Sequence, residues 1–143
     1  MAVTAANVAA QDMRKLASTS NPLEVIQNPI VISVSVGVLG GYLTRKALYT
    51  SRRDLFGWAS KGPDGRIRYY DVKKDRKGNI VPDTTKEVSN ARMNRILLNL
   101  GGVILGSLLI NNTFTDDPMV DYIGLGVAAG SFANLVMVIL DIE

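Results

Sequence analysis

Three long stretches of this sequence carry almost no charge, and they limit what the chain can fold into. Residues 29–43 and 96–115 have no ionisable side chain, and residues 119–142 hold only Asp121 and Asp141. As helices, 29–50 would extend about 33 Å and 118–142 about 37 Å, enough to cross the hydrocarbon core of a bilayer. The second run, ARMNRILLNLGGVILGSLLI, and the third are relieved mainly by Asn, Ser and Gly. A helix that is apolar all round is either deeply buried or faces lipid. A chain of 143 residues is too short to wrap three such helices in protein. The sequence therefore predicts a mainly α membrane protein: three transmembrane helices, with a small basic, partly β loop domain between helices one and two. The alternative is a soluble α+β domain with three buried helices.

Local signals divide the chain further. Residues 1–28 form a polar segment in which Val3, Ala6, Ala10, Met13 and Ala17 recur at helical steps. That pattern suits a short surface helix, or one lying on a membrane or partner. The segment lacks a basic n-region and a continuous apolar core, so no secretory signal is expected. Asn28-Pro29 is a helix start, with Asn as cap and Pro at the first position. It opens a first span over 29–50, with Arg45 and Lys46 snorkelling and Tyr42 and Tyr49 at headgroup level. IVISVSVGV also alternates as a strand does, which leaves a partly extended first run open. The second span covers 89–110, capped by Ser89 or Asn90. Arg92 and Arg95 in its first turns oppose the helix dipole, which an anionic interface would relieve. An acidic turn, 111–117, leads to Asp117-Pro118 and a third span over 118–142, antiparallel to the second. Within 51–88, GPDG and DRKG are turn signatures around the strand-forming RIRYYDVKK. NIV follows and Pro82 is expected to end it. Two or three short antiparallel strands result, with Phe56 and Trp58 placed in the first.

Charge predicts sidedness. Residues 44–95 hold 14 of the 16 Lys and Arg and six acids, a net charge of +8. Residues 111–121 hold three acids and no base. Basic loops stay inside, so 44–95 is expected on the cytoplasmic or interior face and the acidic turn opposite, in a bacterial inner membrane or a virion membrane.

GLGVAAG, residues 124–130, fits the dinucleotide fingerprint G-x-G-x-x-A in its letters. That site needs a strand before the glycines and a second strand after the helix. Here an Asp-Pro helix start precedes them and a single apolar helix follows. The stretch reads instead as Gly126-x-x-x-Gly130, matched by Gly37-x-x-x-Gly41 and Gly102-x-x-x-Gly106, one in each span. Glycines four apart lie on one helix face and let backbones approach closely. Asn99 and Asn134 extend these lines and are expected to bond across the interface or to backbone, at about 0.6 kcal/mol each. The lines serve packing within one chain, or self-association through the remaining face of span one.

No catalytic motif occurs, and the chain has neither cysteine nor histidine. Disulfides, thiolate chemistry and the commonest general base are thereby excluded. No enzyme activity, cofactor or metal is expected. What remains is the basic segment, where Arg45, Lys46, Arg52, Arg53, Arg66, Arg68, Lys73, Lys74, Arg76 and Lys77 interleave with aromatics. Such a segment suits anionic lipid, an acidic protein surface or nucleic acid bound without sequence preference. It also serves as a topology determinant.

In plan, the chain resembles the small membrane proteins of viruses that hold a bilayer beneath a protein shell. That resemblance implies a structural role in a larger assembly. Three spans also resemble one class of phage holins, which form membrane lesions. The sequence departs from them in its long first loop, 44–95, and its short acidic tail. An accessory subunit of a larger membrane complex is a further possibility. A topology reporter fused after Glu143 should read as cytoplasmic; a periplasmic reading overturns the sidedness.

Overall fold

The computed structural model describes residues 11, 13–18 and 20–143. Most of the helix expected over 3–17 lies outside the described residues; within them, 13–18 are helical. The elements that follow are α1 (Pro22–Gln27), α2 (Pro29–Ser51), α3 (Arg53–Phe56), β1 (Trp58–Lys61), β2 (Ile67–Lys74), β3 (Ile80–Glu87), α4 (Ala91–Ile110) and α5 (Pro118–Ile139). Three of these, α2, α4 and α5, are long and apolar enough to cross a membrane. Residues 30–38, which alternate as a strand would, lie inside α2. Helix wins there because an apolar run this long satisfies its backbone internally, without a pairing strand.

An Asx-Pro step starts three of the helices. The Asn21 carboxamide oxygen accepts from Leu23 N at 3.0 Å, that of Asn28 from Ile30 N at 2.9 Å, and the Asp117 carboxylate from Met119 N at 2.9 Å. Each side chain satisfies one of the orphan donors of a helix start, and proline fills a position whose N–H is not needed. Asn21-Pro22 carries the same signal as the other two, although sequence reasoning passed over α1, as it did the short α3.

The chain divides into two compact units. The first comprises residues 1–42 and 102–131. Its helices meet at glycines. A Cβ on Gly37 would overlap the Ile123 carbonyl, and one on Gly126 would overlap the Val34 carbonyl. Each of α2 and α5 thus offers a glycine to the other's backbone. Earlier on both helices the Ser33 hydroxyl donates to Met119 Sδ at 3.5 Å, so contact positions rise together along the two and they run parallel. On α4, a Cβ at Gly106 would lie 2.5 Å from both Gly124 O and Ala128 N, and one at Gly124 would lie 2.7 Å from Gly106 O. A Cβ on Gly102 would overlap the Ser131 hydroxyl, so α4 runs antiparallel to α5. Gly124 and Gly126 are two residues apart, about 200° around a helix. They serve opposite faces of α5, which therefore packs between α2 and α4. Gly124 was not in the expected set. Gly41 and Gly130 are half-buried.

The second unit comprises residues 43–101 and 132–143. It holds a three-stranded antiparallel sheet in the order β1-β2-β3. Both hairpins close in the same way. Gly65 N bonds to Gly62 O and Gly62 N to Arg66 O; Gly78 N bonds to Asp75 O and Asp75 N to Asn79 O, at 2.9–3.0 Å. Gly65 and Gly78 sit at φ 80° and 82°, a left-handed position glycine takes without strain. Pro82 does not end the third strand. It pairs with Val72 inside β3, which runs on to Glu87. β3 is an edge strand, and an edge tolerates a residue without an N–H. Phe56 closes α3 rather than opening β1. Ile67 and Tyr69, two apart on β2, face Ala91, with Ala59 and Val88 packed beside them. The third long helix stops at Ile139, short of residue 142. Asp141 takes φ 56°, and Ile142 N bonds back to Met137 O at 3.1 Å. That is a Schellman cap built on aspartate rather than glycine.

The glycine seams give a paired test. Gly106→Ala should destabilise the protein by about 1–3 kcal/mol through overpacking. Gly101→Ala meets nothing within 4 Å and should be neutral or stabilising by up to about 1 kcal/mol. Thermal unfolding of both variants in the same detergent decides it, and an undiminished Gly106→Ala overturns the seam.

Candidate functional site

Asn99 is fully buried in α4, and its amide donates to the Tyr49 hydroxyl at 3.1 Å and to Arg95 O at 2.8 Å. Tyr49 donates in turn to Asn134 Oδ1 at 3.3 Å. The two asparagines singled out in the sequence are therefore joined through a tyrosine. Tyr49, expected at headgroup level, points inward because it is the donor that Asn134 needs. Tyr42 is exposed.

One turn earlier on α4 is Arg95, 3% exposed. Its Nε donates to Phe56 O at 2.8 Å and its Nη2 to Gly57 O at 3.0 Å, while Nη1 pairs with the Glu143 carboxylate. The guanidinium carbon lies 4.0 Å from the Tyr49 ring centre and 4.5 Å from that of Tyr69. Arg95 thus satisfies two carbonyls left over at the end of α3, and Asn94 takes a third by donating to Leu55 O at 2.8 Å. Gly57 makes this possible: at φ 62° it turns the chain, and a Cβ there would meet Tyr69 Cβ at 2.7 Å. Three residues before Arg95, Arg92 pairs with Asp141.

The sequence reading had Arg92 and Arg95 relieved by an external anionic interface. The chain supplies the anions itself, from Asp141 and Glu143, some fifty residues away in sequence. The spacing of Arg92 and Arg95 by three, with two acids two apart after the last apolar run, is the signal that could have found this pair. Glu143 is held from a second side by the Tyr69 hydroxyl, which donates to Oε2 at 2.8 Å. Burial, and then that bond to the ionised Glu143, push the Tyr69 phenol well above its ordinary range.

The ten basic residues expected to meet an anionic partner do not form one surface. Arg45 is buried, at 8% exposure, which removes it from any outer face. Lys46 is exposed. Arg52 pairs with Asp54 at 3.0 Å, Arg68 with Asp64 at 3.2 Å and Lys73 with Asp83 at 3.4 Å. Arg53 lies 4.0 Å over the Trp58 ring. Lys74, Arg76 and Lys77, around the β2–β3 hairpin, and Arg66 at the other turn are exposed, with no side-chain partner among the described residues. The free positive charge is concentrated at the two turns.

Among the described residues no group of His, Cys, Asp and Glu could hold a metal ion. No protein-family model, curated protein or solved structure matches the chain.

Two outcomes test the arginine centre. Arg95→Met should cost about 3–5 kcal/mol, since it strands a part-buried carboxylate and two carbonyls. The raised Tyr69 pKa gives the second. Above about pH 10 the unfolded chain releases this proton while the folded one retains it, so stability should fall as pH rises. Tyr69→Phe should flatten that alkaline limb in pH-dependent unfolding; an unchanged slope rules out the assigned role.

Proposed function

We propose that this chain is a non-enzymatic, structural integral membrane protein. One observation carries the reading: polar side chains are buried while many large apolar ones lie exposed along the long helices. Ser33, Arg45, Arg95, Asn99 and Ser131 are buried, while Ile32, Val36, Leu39, Leu97, Ile104, Leu105, Leu125, Phe132 and Ile139 are exposed along α2, α4 and α5. Between 17% and 28% of the most apolar stretch of each of these helices is buried. Leaving a large apolar side chain in water forgoes about 1.5–3 kcal/mol each. The nine are each about half exposed, so together they would forgo roughly 7–14 kcal/mol in water, comparable to the whole stability of an ordinary domain; in hydrocarbon they cost nothing.

The charge pattern supports a sidedness. The second unit gathers the C-terminal end of α2, the N-terminal end of α4 and the C-terminal end of α5 with the basic sheet, as three alternating spans require. By the positive-inside bias this side is cytoplasmic or interior, and the acidic turn lies opposite. In this reading the hairpin bases Lys74, Arg76 and Lys77 dock the protein to an acidic protein surface, as a small membrane protein beneath a shell would do. Small-residue helix packing supplies the rigidity.

Alkaline carbonate treatment of membranes carrying the protein tests insertion: it should remain in the pellet, and release into the supernatant overturns the reading. In proteoliposomes, labelled polyglutamate serves as the acidic probe. Each base near an anionic surface is worth about 1 kcal/mol, so the triple variant Lys74→Glu, Arg76→Glu, Lys77→Glu should bind at least about tenfold more weakly. Equal binding by the variant overturns the docking role.

A further inference from the structure

A polar cleft of about 520 Å³ opens between the start of β2, the end of β3 and the first turn of α4. Its charged lining is mixed: Arg66, Arg68 and Arg92 against Glu87 and Asp141, with the Ser89 hydroxyl beside them. Most of these charges are already matched. Arg92 pairs with Asp141, and Arg68 with Asp64 at 3.2 Å. Arg66 and Glu87 remain, one cation and one anion, each exposed and without a side-chain partner among the described residues. A site for a simple anion would not set an unpaired carboxylate in its wall. A site for a simple cation would not set an unpaired arginine there.

The pair is complementary to a zwitterion, with phosphate toward Arg66 and a hydrogen-bonding ammonium toward Glu87. The cleft also has a definite place along the helices. Arg92 lies in the first turn of α4, and Asp141 lies two residues past the end of α5, so the cleft opens where two apolar helices begin and end. In a membrane protein that is the headgroup level.

We propose that this cleft binds the phosphoethanolamine headgroup of a phospholipid. Arg66 holds the phosphate as guanidinium groups do, by directed charge-assisted hydrogen bonds. Glu87 accepts from the primary ammonium. Phosphatidylcholine offers the same charges but no N–H to donate, and phosphatidylglycerol offers the phosphate without the ammonium. The proposal rests on the membrane reading above and adds to it a lipid preference set by two residues outside the helices.

The test uses the full chain, floated with vesicles and then examined by native mass spectrometry from detergent with equal phosphatidylethanolamine, phosphatidylcholine and phosphatidylglycerol. Flotation should occur with any of the three lipids. Phosphatidylethanolamine should be retained about tenfold better than either of the others, the worth of one charge-assisted hydrogen bond. Glu87→Gln should abolish that preference while leaving phospholipid retained, and Arg66→Gln should weaken retention of all three. Arg76→Gln, at the far hairpin, should change nothing. Flotation with no preference, or with phosphatidylglycerol preferred, overturns the cleft assignment and leaves the membrane reading standing. Failure to float overturns both. Both residues are exposed, so circular dichroism of the variants should match the parent.

Discussion

A buried guanidinium is tolerable only when its donors are met and its charge is balanced. Arg95 meets that condition with groups from separate stretches of chain: the carbonyls of Phe56 and Gly57, the rings of Tyr49 and Tyr69, and the Glu143 carboxylate. Within the second unit this fixes several features together. The chain must turn sharply at Gly57, β2 must present Tyr69 inward, and the tail after α5 must reverse through Asp141 to deliver Glu143. Replacing any one partner leaves the others in an environment that penalises unpaired polar groups, which is why such centres behave as all-or-none units.

The first unit uses the opposite solution. Its contacts are made by absence of side chain: Gly37 against Ile123, Gly126 against Val34, and Gly106 with Gly124. In a lipid setting hydrophobicity does not drive helices together, since hydrocarbon solvates apolar side chains as well as protein does. Close backbone approach, with its dispersion contacts, then has to supply the attraction. The polar Asn99–Tyr49–Asn134 chain belongs to the other unit, where arginine and carboxylate already make a polar interior. One set of three helices thus combines two kinds of adhesion, dispersion at glycine seams and directed bonds around Arg95.

Much of this was legible because the signals are local. Three apolar runs, the Asx-Pro starts at Asn28 and Asp117, and the turns at Gly65 and Gly78 depend on neighbours in sequence. The strand-like alternation of IVISVSVGV misled only as an alternative, because period alone cannot separate short apolar runs. Pro82 was read as a stop because its place on an edge strand depends on which strands pair. The basic segment was read as one surface because sequence reports charge and not partners. In the fold, Arg45 is buried, and Arg52, Arg68 and Lys73 are each matched to a nearby acid.

The sequence by itself determined that three apolar helices would form, where proline would begin two of them, and that a basic, partly β segment would separate the first from the second. These follow from composition and spacing within a window of about twenty residues, the length over which helix formation and capping act. Only the tertiary structure decided which glycines meet which backbones, that Gly124 and Gly126 serve opposite faces of α5, and that Arg92 and Arg95 find their counter-ions in Asp141 and Glu143. Those choices depend on distances between residues some twenty to ninety positions apart. Electrostatic pairing and close packing act through space, and the order of residues along the chain does not record which of them will be neighbours.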